Sequence, residues 1–230
     1  MSNPRTNARI TGFLFILGTV PPIASCLLWG QSLSSPDYLS LMAAQRNHIL
    51  AVALFALFMG YACAGIGISL YPVLKPHGEG LALGVLGFRV MEGTIQVVSA
   101  IGITALLAVS QEFVKAGSTP DSYFRGIAAV VKMVRAWVLN GAFLFPWCIA
   151  AFIYYTIFFR TRLVPRWLSG WGILALALML IGALAGMFGL LGAFSPLQII
   201  MMLPIMVQEM VLAVWLIVKG FNQTALSGGR

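Results

Sequence analysis

Six apolar runs, each of twenty or more residues, decide what this chain of 230 residues can become. They cover roughly 10–29, 48–74, 81–109, 136–159, 167–191 and 199–218. A helix crosses the hydrocarbon core of a bilayer in about 20 residues. Within lipid the backbone must satisfy its own hydrogen bonds, which a helix does. Only 9% of the residues are charged, against about 25% in a soluble domain, and the mean hydropathy is +0.95. The expectation is an all-α polytopic membrane bundle: one integral membrane domain over 1–230, with six transmembrane helices.

The connections sharpen this reading. Lys75-Pro76-His77-Gly78-Glu79-Gly80 reads as a tight loop between the second and third runs. Thr119-Pro120-Asp121 carries a cap, a proline and an acid in the order that opens a helix. From there to Phe159 nothing breaks the helical pattern, and forty residues of helix would span about 60 Å, twice a bilayer core. In its first half Asp121, Arg125, Lys132 and Arg135 share one face and Phe124, Ile127, Val131 and Val134 another. Residues 120–135 therefore read as an interfacial amphipathic helix ahead of the fourth span, with Pro146 bending that span. Gly80, Gly84 and Gly87 suggest a smooth face for close packing in the third run; Gly182, Gly186 and Gly189 suggest one in the fifth.

Net charge is +8. In a soluble protein that balance would suggest nucleic acid, but here the cations flank apolar runs, so they read as topology signals and contacts to membrane lipids, with no nucleic-acid partner. With the N-terminus inside, the cytoplasmic segments hold eight cations (Arg5, Arg9, Lys75, Arg160, Arg162, Arg166, Lys219, Arg230) and the outer segments five (Arg46, Lys115, Arg125, Lys132, Arg135). The bias places both termini in the cytoplasm.

The third run is interrupted by Arg89 and Glu92, three apart and so on one helical face, with Gln96 and Ser99 extending the line. A charge at the bilayer centre costs at least about 2.5–3.5 kcal/mol on insertion scales, so this line must turn toward other helices or a wet cavity. Glu209 lies at similar depth in the sixth run, with Gln208 before it, and Asn140 sits early in the fourth. Glu209 has no basic residue within a turn of its own helix. The expectation is that the third and sixth spans are neighbours and that Arg89, Glu92 and Glu209 face one interior cavity, with Gln96, Asn140 and Gln208 completing the candidate ligand contacts. Two readings compete. Intramembrane ionisable groups commonly mark a functional pocket, and buried ion pairs also serve only to fix helix register.

Catalytic chemistry finds little footing. No HExxH, GxSxG or phosphate-binding glycine loop appears. Two His and three scattered Cys give no metal or haem centre, so no cofactor is expected. An intramembrane enzyme ranks below a small-molecule or lipid-like ligand binder or transporter, and below a non-catalytic scaffold or accessory subunit.

Four stretches resemble a known family. They are Ala8-Arg9-Ile10-Thr11-Gly12; Leu70-Tyr71 through Lys75-Pro76 with Phe88-Arg89-Val90-Met91-Glu92; Pro165-Arg166-Trp167-Leu168; and Glu209 through Val214-Trp215-Leu216-Ile217-Val218-Lys219-Gly220. Together they resemble the bacterial membrane family known as domain of unknown function 4386. The resemblance implies a multi-pass inner-membrane protein of unassigned activity and puts Arg89, Glu92 and Glu209 inside the recognisable motifs. That family often carries a His near the start of the fourth span, where this chain reads Val138-Leu139-Asn140-Gly141.

Overall fold

The computed structural model describes residues 4–29, 35–119, 123–191 and 196–227. It is helical throughout: α1 Pro4–Trp29, α2 Tyr38–Ala44, α3 Arg46–Leu74, α4 Glu79–Lys115, α5 Tyr123–Trp137, α6 Leu144–Thr161, α7 Arg166–Met187, α8 Pro196–Val218 and α9 Gln223–Ser227. Six of them (α1, α3, α4, α6, α7, α8) are long and apolar enough to cross a membrane. Their ends differ from the hydropathy runs by a few residues because helices continue into polar flanks, as α4 does from Glu79 to Lys115.

The six spans form a ring in chain order. α1 packs on α3, α3 on α4, α4 on α6, α6 on α7, α7 on α8, and α8 closes back on α1. The third and sixth spans, α4 and α8, are therefore not side by side among the described residues, contrary to the sequence expectation. Short connections make successive spans neighbours, and α8 is taken up by α7 and α1. Ala8 Cβ lies 3.7 Å from where a Cβ on Gly220 would stand, so the start of α1 and the end of α8 share one end of the ring. His77, from the α3–α4 turn, and Arg160, from the last turn of α6, line one cleft at that end.

Backbone contact holds two of the seams. A Cβ on Gly93 would sit 2.4 Å from the Gly60 carbonyl oxygen, so α3 and α4 meet backbone to backbone there. A Cβ on Gly12 would sit 2.6 Å from the Ala213 carbonyl oxygen, where α1 crosses α8. The expected face at Gly80, Gly84 and Gly87 is not a seam: Gly80 and Gly87 have nothing within 4 Å, and Gly84 meets only Ile153 Cδ1 at 3.6 Å. Those glycines lie off the face of α4 that meets α3, where Leu86 and Arg89 stand against Gly67. In α7, Gly182 faces Met201 and Gly186 faces Gln198 Nε2 at 2.9 Å, whereas Gly189 closes the helix end with φ +71°.

The segment before the fourth span is a separate amphipathic helix, α5, and it packs along α4. Gly84 meets Ile153, Gly102 meets the Arg135 side chain, and the Arg125 guanidinium lies 5.2 Å over the Phe113 ring. The paired numbers fall as steadily on one strand of contacts as they rise on the other. So α5 and α6 make one rod running antiparallel along α4, and α5 lies against the second half of α4. With 37 residues, α4 is about 55 Å long and must outreach a bilayer core of about 30 Å. A second apolar cluster fills the end of the α3–α4 pair away from their connecting turn: Leu39 and Met42 of α2, Ile49 and Val52 of α3, Ile103, Leu106 and Phe113 of α4, and Ala128 of α5. The cations of α5 turn back to the protein. Arg125 reaches Asp37 at 3.5 Å and Lys132 Nζ lies 4.9 Å over the Tyr38 ring, while Tyr123, Ile127, Val130, Val134 and Trp137 face outward.

Between α5 and α6 the rod widens into a π-helical turn, Val138–Ala142, closed by Phe143 N–H donating to the Val138 carbonyl at 2.9 Å. Pro146 stands in the first turn of α6 and donates nothing to the Ala142 carbonyl. A missing donor of this kind is a recognised cause of local widening, so Pro146 acts on the turn before it. Pro120 and Asp121, the expected opening of the amphipathic helix, lie outside the described residues.

Candidate functional site inside the helix ring

All four members of the α4 polar line turn into the protein. Arg89 is 2% exposed and Glu92 1%, and Gln96 and Ser99 are buried below them. Helical spacing puts them on one stripe, and the close approach of α3 covers it: a Cβ on Gly67 would stand 2.9 Å from Arg89 Cβ, and one on Gly60 would stand 3.5 Å from Gln96 Cβ. Small residues on α3 thus make room for long polar side chains on α4.

Arg89 Nη1 stands 2.9 Å from Glu92 Oε2. The ion pair is internal to α4, so it does not join two helices. The two atoms approach without hydrogen-bond alignment, and Arg89 Nε, Gln96 Oε1 and Ser99 Oγ are buried with no hydrogen-bond partner among the described residues. Glu92 has a further neighbour from α3, Cys63, close enough to interact with it electrostatically. The Arg89 guanidinium also lies 5.9 Å over the Phe15 ring of α1, a cation–π distance.

Glu209 comes to the same interior from α8. It is 9% exposed. Its Oε2 accepts from Thr19 Oγ1 of α1 at 3.0 Å, and the Trp147 side chain of α6 supplies a second hydrogen bond. It is close enough to interact electrostatically with Arg89 across the ring. One guanidinium thus serves two carboxylates.

The remaining sequence candidates fall elsewhere. Gln208 is fully buried, and both ends of its amide are engaged: Tyr155 Oη donates to Oε1 at 2.5 Å, and Nε2 donates to the Leu168 carbonyl at 3.0 Å. It ties α8 to α6 and α7. Tyr155 itself fits because Gly172 has no side chain; a Cβ there would sit 2.6 Å from Tyr155 Cε1. Asn140 belongs to the π-helical turn, and its side chain lies outside the described residues.

Sequence reasoning missed Thr19, Trp147, Cys63, Phe15 and the Tyr154–Tyr155 pair. Tyr154 and Tyr155 are fully buried and their ring centroids are 4.5 Å apart. Their position was a usable signal, since membrane tyrosines favour the interface and these two stand mid-helix in α6. Thr19 and Phe15 carried none, because a threonine or phenylalanine in an apolar run is ordinary.

The family described as Domain of unknown function (DUF4386) matches residues 10–220. The chain belongs to the DUF4386 family. It is an integral membrane protein, and the match takes in every residue of the interior polar cluster. Comparison with curated proteins and with solved structures gives no match. In this DUF4386 chain the sequence motifs converge in space: Arg89 and Glu92 on α4 face Glu209 at the head of the α8 motif.

Proposed function

We propose that this DUF4386 protein binds, and moves across or within the membrane, a small organic or lipid-like ligand held at Arg89, Glu92 and Glu209. The observation that carries the reading is a charge cluster buried inside the ring with unmet polar capacity. Arg89 Nε, Gln96 Oε1 and Ser99 Oγ sit beside it with no hydrogen-bond partner among the described residues. A buried polar atom without a partner costs about 1–3 kcal/mol, so a bundle selected only for stability gains by losing such groups. Two carboxylates against one guanidinium also leave room for a ligand with a cationic or hydrogen-donating group. Gln208 is not part of the pocket in this reading, since its amide is engaged.

A register clamp is the competing account. The Arg89–Glu92 pair itself lies within one helix, so in that account the clamp would work through the pair's interactions with α3 and α8. Polar ties between helices among the described residues include Glu209 with Thr19, Gln208 with Tyr155, and Asn7 and Thr11 with Ser69.

The cation bias favours an orientation with the Lys75 and Arg160–Arg166 turns in the cytoplasm of a bacterial inner membrane; labelling of the Arg160–Arg166 turn from outside intact cells would reverse it. The pocket is tested by native mass spectrometry of the purified protein. Wild type should carry a retained small molecule that Glu92→Gln and Glu209→Gln lose while remaining folded. Variants that shift only the melting temperature, with the same occupancy as wild type, would support the clamp instead.

A further inference from the structure

At the end of the ring where α1 begins and α8 ends, a cleft of about 450 Å³ opens between the α6–α7 turn and the α8–α9 turn. Arg162, Arg166 and Lys219 line it together with Trp215, Phe221 and Asn222. The nearest carboxylates in sequence to these cations are Glu209 and Asp121; Glu209 is buried in the ring interior. Among the described residues no carboxylate forms an ion pair with any of the three; the ion pairs that occur engage Lys75, Arg89, Lys115 and Arg125.

The cleft is held in shape. Asn222 N–H donates to the Leu163 carbonyl at 2.9 Å, and Asn222 Nδ2 donates to the Arg162 carbonyl at 3.3 Å, which locks the two turns together. Leu163, Val164 and Phe221 are buried and anchor the walls. Arg166 Nε donates to the Phe159 carbonyl at 3.3 Å and its guanidinium lies 5.4 Å over the Phe159 ring, which fixes the direction of the side chain. Arg162 adopts left-handed backbone, φ +59°. That conformation suits glycine or asparagine after a helix, and a longer side chain there is uncommon. The chain thus keeps an arginine at a position where glycine would be easier.

We propose that this cleft binds a phosphate-bearing anion. Among the described residues the three cations around this opening have no carboxylate partner, so their charge suits a phosphate, and arginine forks grip phosphate oxygens in pairs. Basic pockets at the ends of transmembrane helices accept anionic lipid headgroups in this way. Trp215 and Phe221 give the same opening an apolar side, as a lipid glycerol and acyl root would need. The site lies at the ring's end, away from the Arg89/Glu92/Glu209 cluster, and does not depend on that cluster having a ligand. It also gives a physical role to Pro165-Arg166-Trp167-Leu168 and to Trp215 through Lys219-Gly220, family motifs that the interior cluster leaves unused.

The full chain in nanodiscs carries the test, with brominated phosphatidylglycerol or brominated phosphatidylcholine quenching tryptophan fluorescence and Trp215→Phe identifying the Trp215 share. At roughly 1 kcal/mol per cation near a lipid surface, removing two cations corresponds to about a 30-fold loss of affinity. Wild type should show saturable quenching that favours phosphatidylglycerol, and Arg162→Gln with Lys219→Gln should weaken it about 30-fold. Both side chains are exposed, so the variant should fold; Lys219→Gln alone should show a smaller loss in the same direction. Arg46→Gln, at the opposite end of α3, should change nothing. Inorganic phosphate at millimolar concentration separates the sources: displacement of the lipid signal, or saturable binding of phosphate alone, assigns the cleft to a soluble phosphate compound, and preference for phosphatidylglycerol without competition assigns it to the headgroup. Equal quenching by both lipids with no phosphate effect, or the same affinities in wild type and the double variant, would overturn the proposal.

Discussion

Arg89 shows how one residue sets conditions on several helices. Its guanidinium meets Glu92 at 2.9 Å, lies over Phe15 and interacts across the ring with Glu209. Removing it leaves two buried carboxylates without their cation. Loss of one partner of a buried pair costs about 3–5 kcal/mol, whereas replacing both by apolar groups of similar volume is often neutral. Arg89→Met should therefore lower the melting temperature in detergent sharply, and Arg89→Met with Glu92→Leu should recover much of the loss. A double variant no more stable than Arg89→Met would mean that Glu209, and not Glu92, is the carboxylate that needs Arg89. The i,i+3 spacing made the Arg89–Glu92 pair legible in the sequence. The Thr19 and Trp147 contacts to Glu209 were not, because they join residues far apart in the chain with no charge or periodicity to mark them.

At the scale of helices, the α3–α4 seam depends on two glycines facing each other. A Cβ on Gly93 would lie 2.4 Å from a backbone oxygen, which cannot move aside as a flexible side-chain end could. Gly93→Ala should destabilise by about 1–3 kcal/mol, the usual cost of overpacking. Gly87→Ala, in the same helix with nothing within 4 Å, should be neutral or stabilising by up to about 1 kcal/mol from helix propensity. Paired melting curves check both, and a Gly87→Ala loss as large as that of Gly93→Ala would place the seam wrongly. Spacing alone pointed to Gly80, Gly84 and Gly87, because any glycine repeat looks like a packing face; which repeat meets a partner depends on where the helices converge. The amphipathic helix before the fourth span was legible from its periodicity. Its lie along α4 was not, since periodicity fixes which residues share a face and leaves the direction of that face open. Pro146 likewise announced a disturbance in the rod without telling that the turn before it, Val138–Ala142, would take the strain.

For the molecule as a whole, six apolar runs were enough to read an all-α membrane bundle, because lipid leaves a chain of this composition few other ways to satisfy its backbone. The order of helices around the ring required the structure. α4 and α8 share an interior without packing on each other, and Arg89 and Glu209 interact electrostatically across it. The central claim is that this interior admits a ligand. Cys63 reports on it directly: the side chain is 2% exposed and lies close enough to Glu92 to interact with it electrostatically. With Cys26 and Cys148 replaced by alanine, Cys63 is the one thiol left in the chain. A small, charged, membrane-impermeant thiol reagent applied to the folded protein should modify Cys63 within minutes, since a ligand pathway to Glu92 is also a water pathway to its neighbour. Cys63 that stays unmodified until the protein is unfolded would contradict the account and leave the buried charges as a structural clamp.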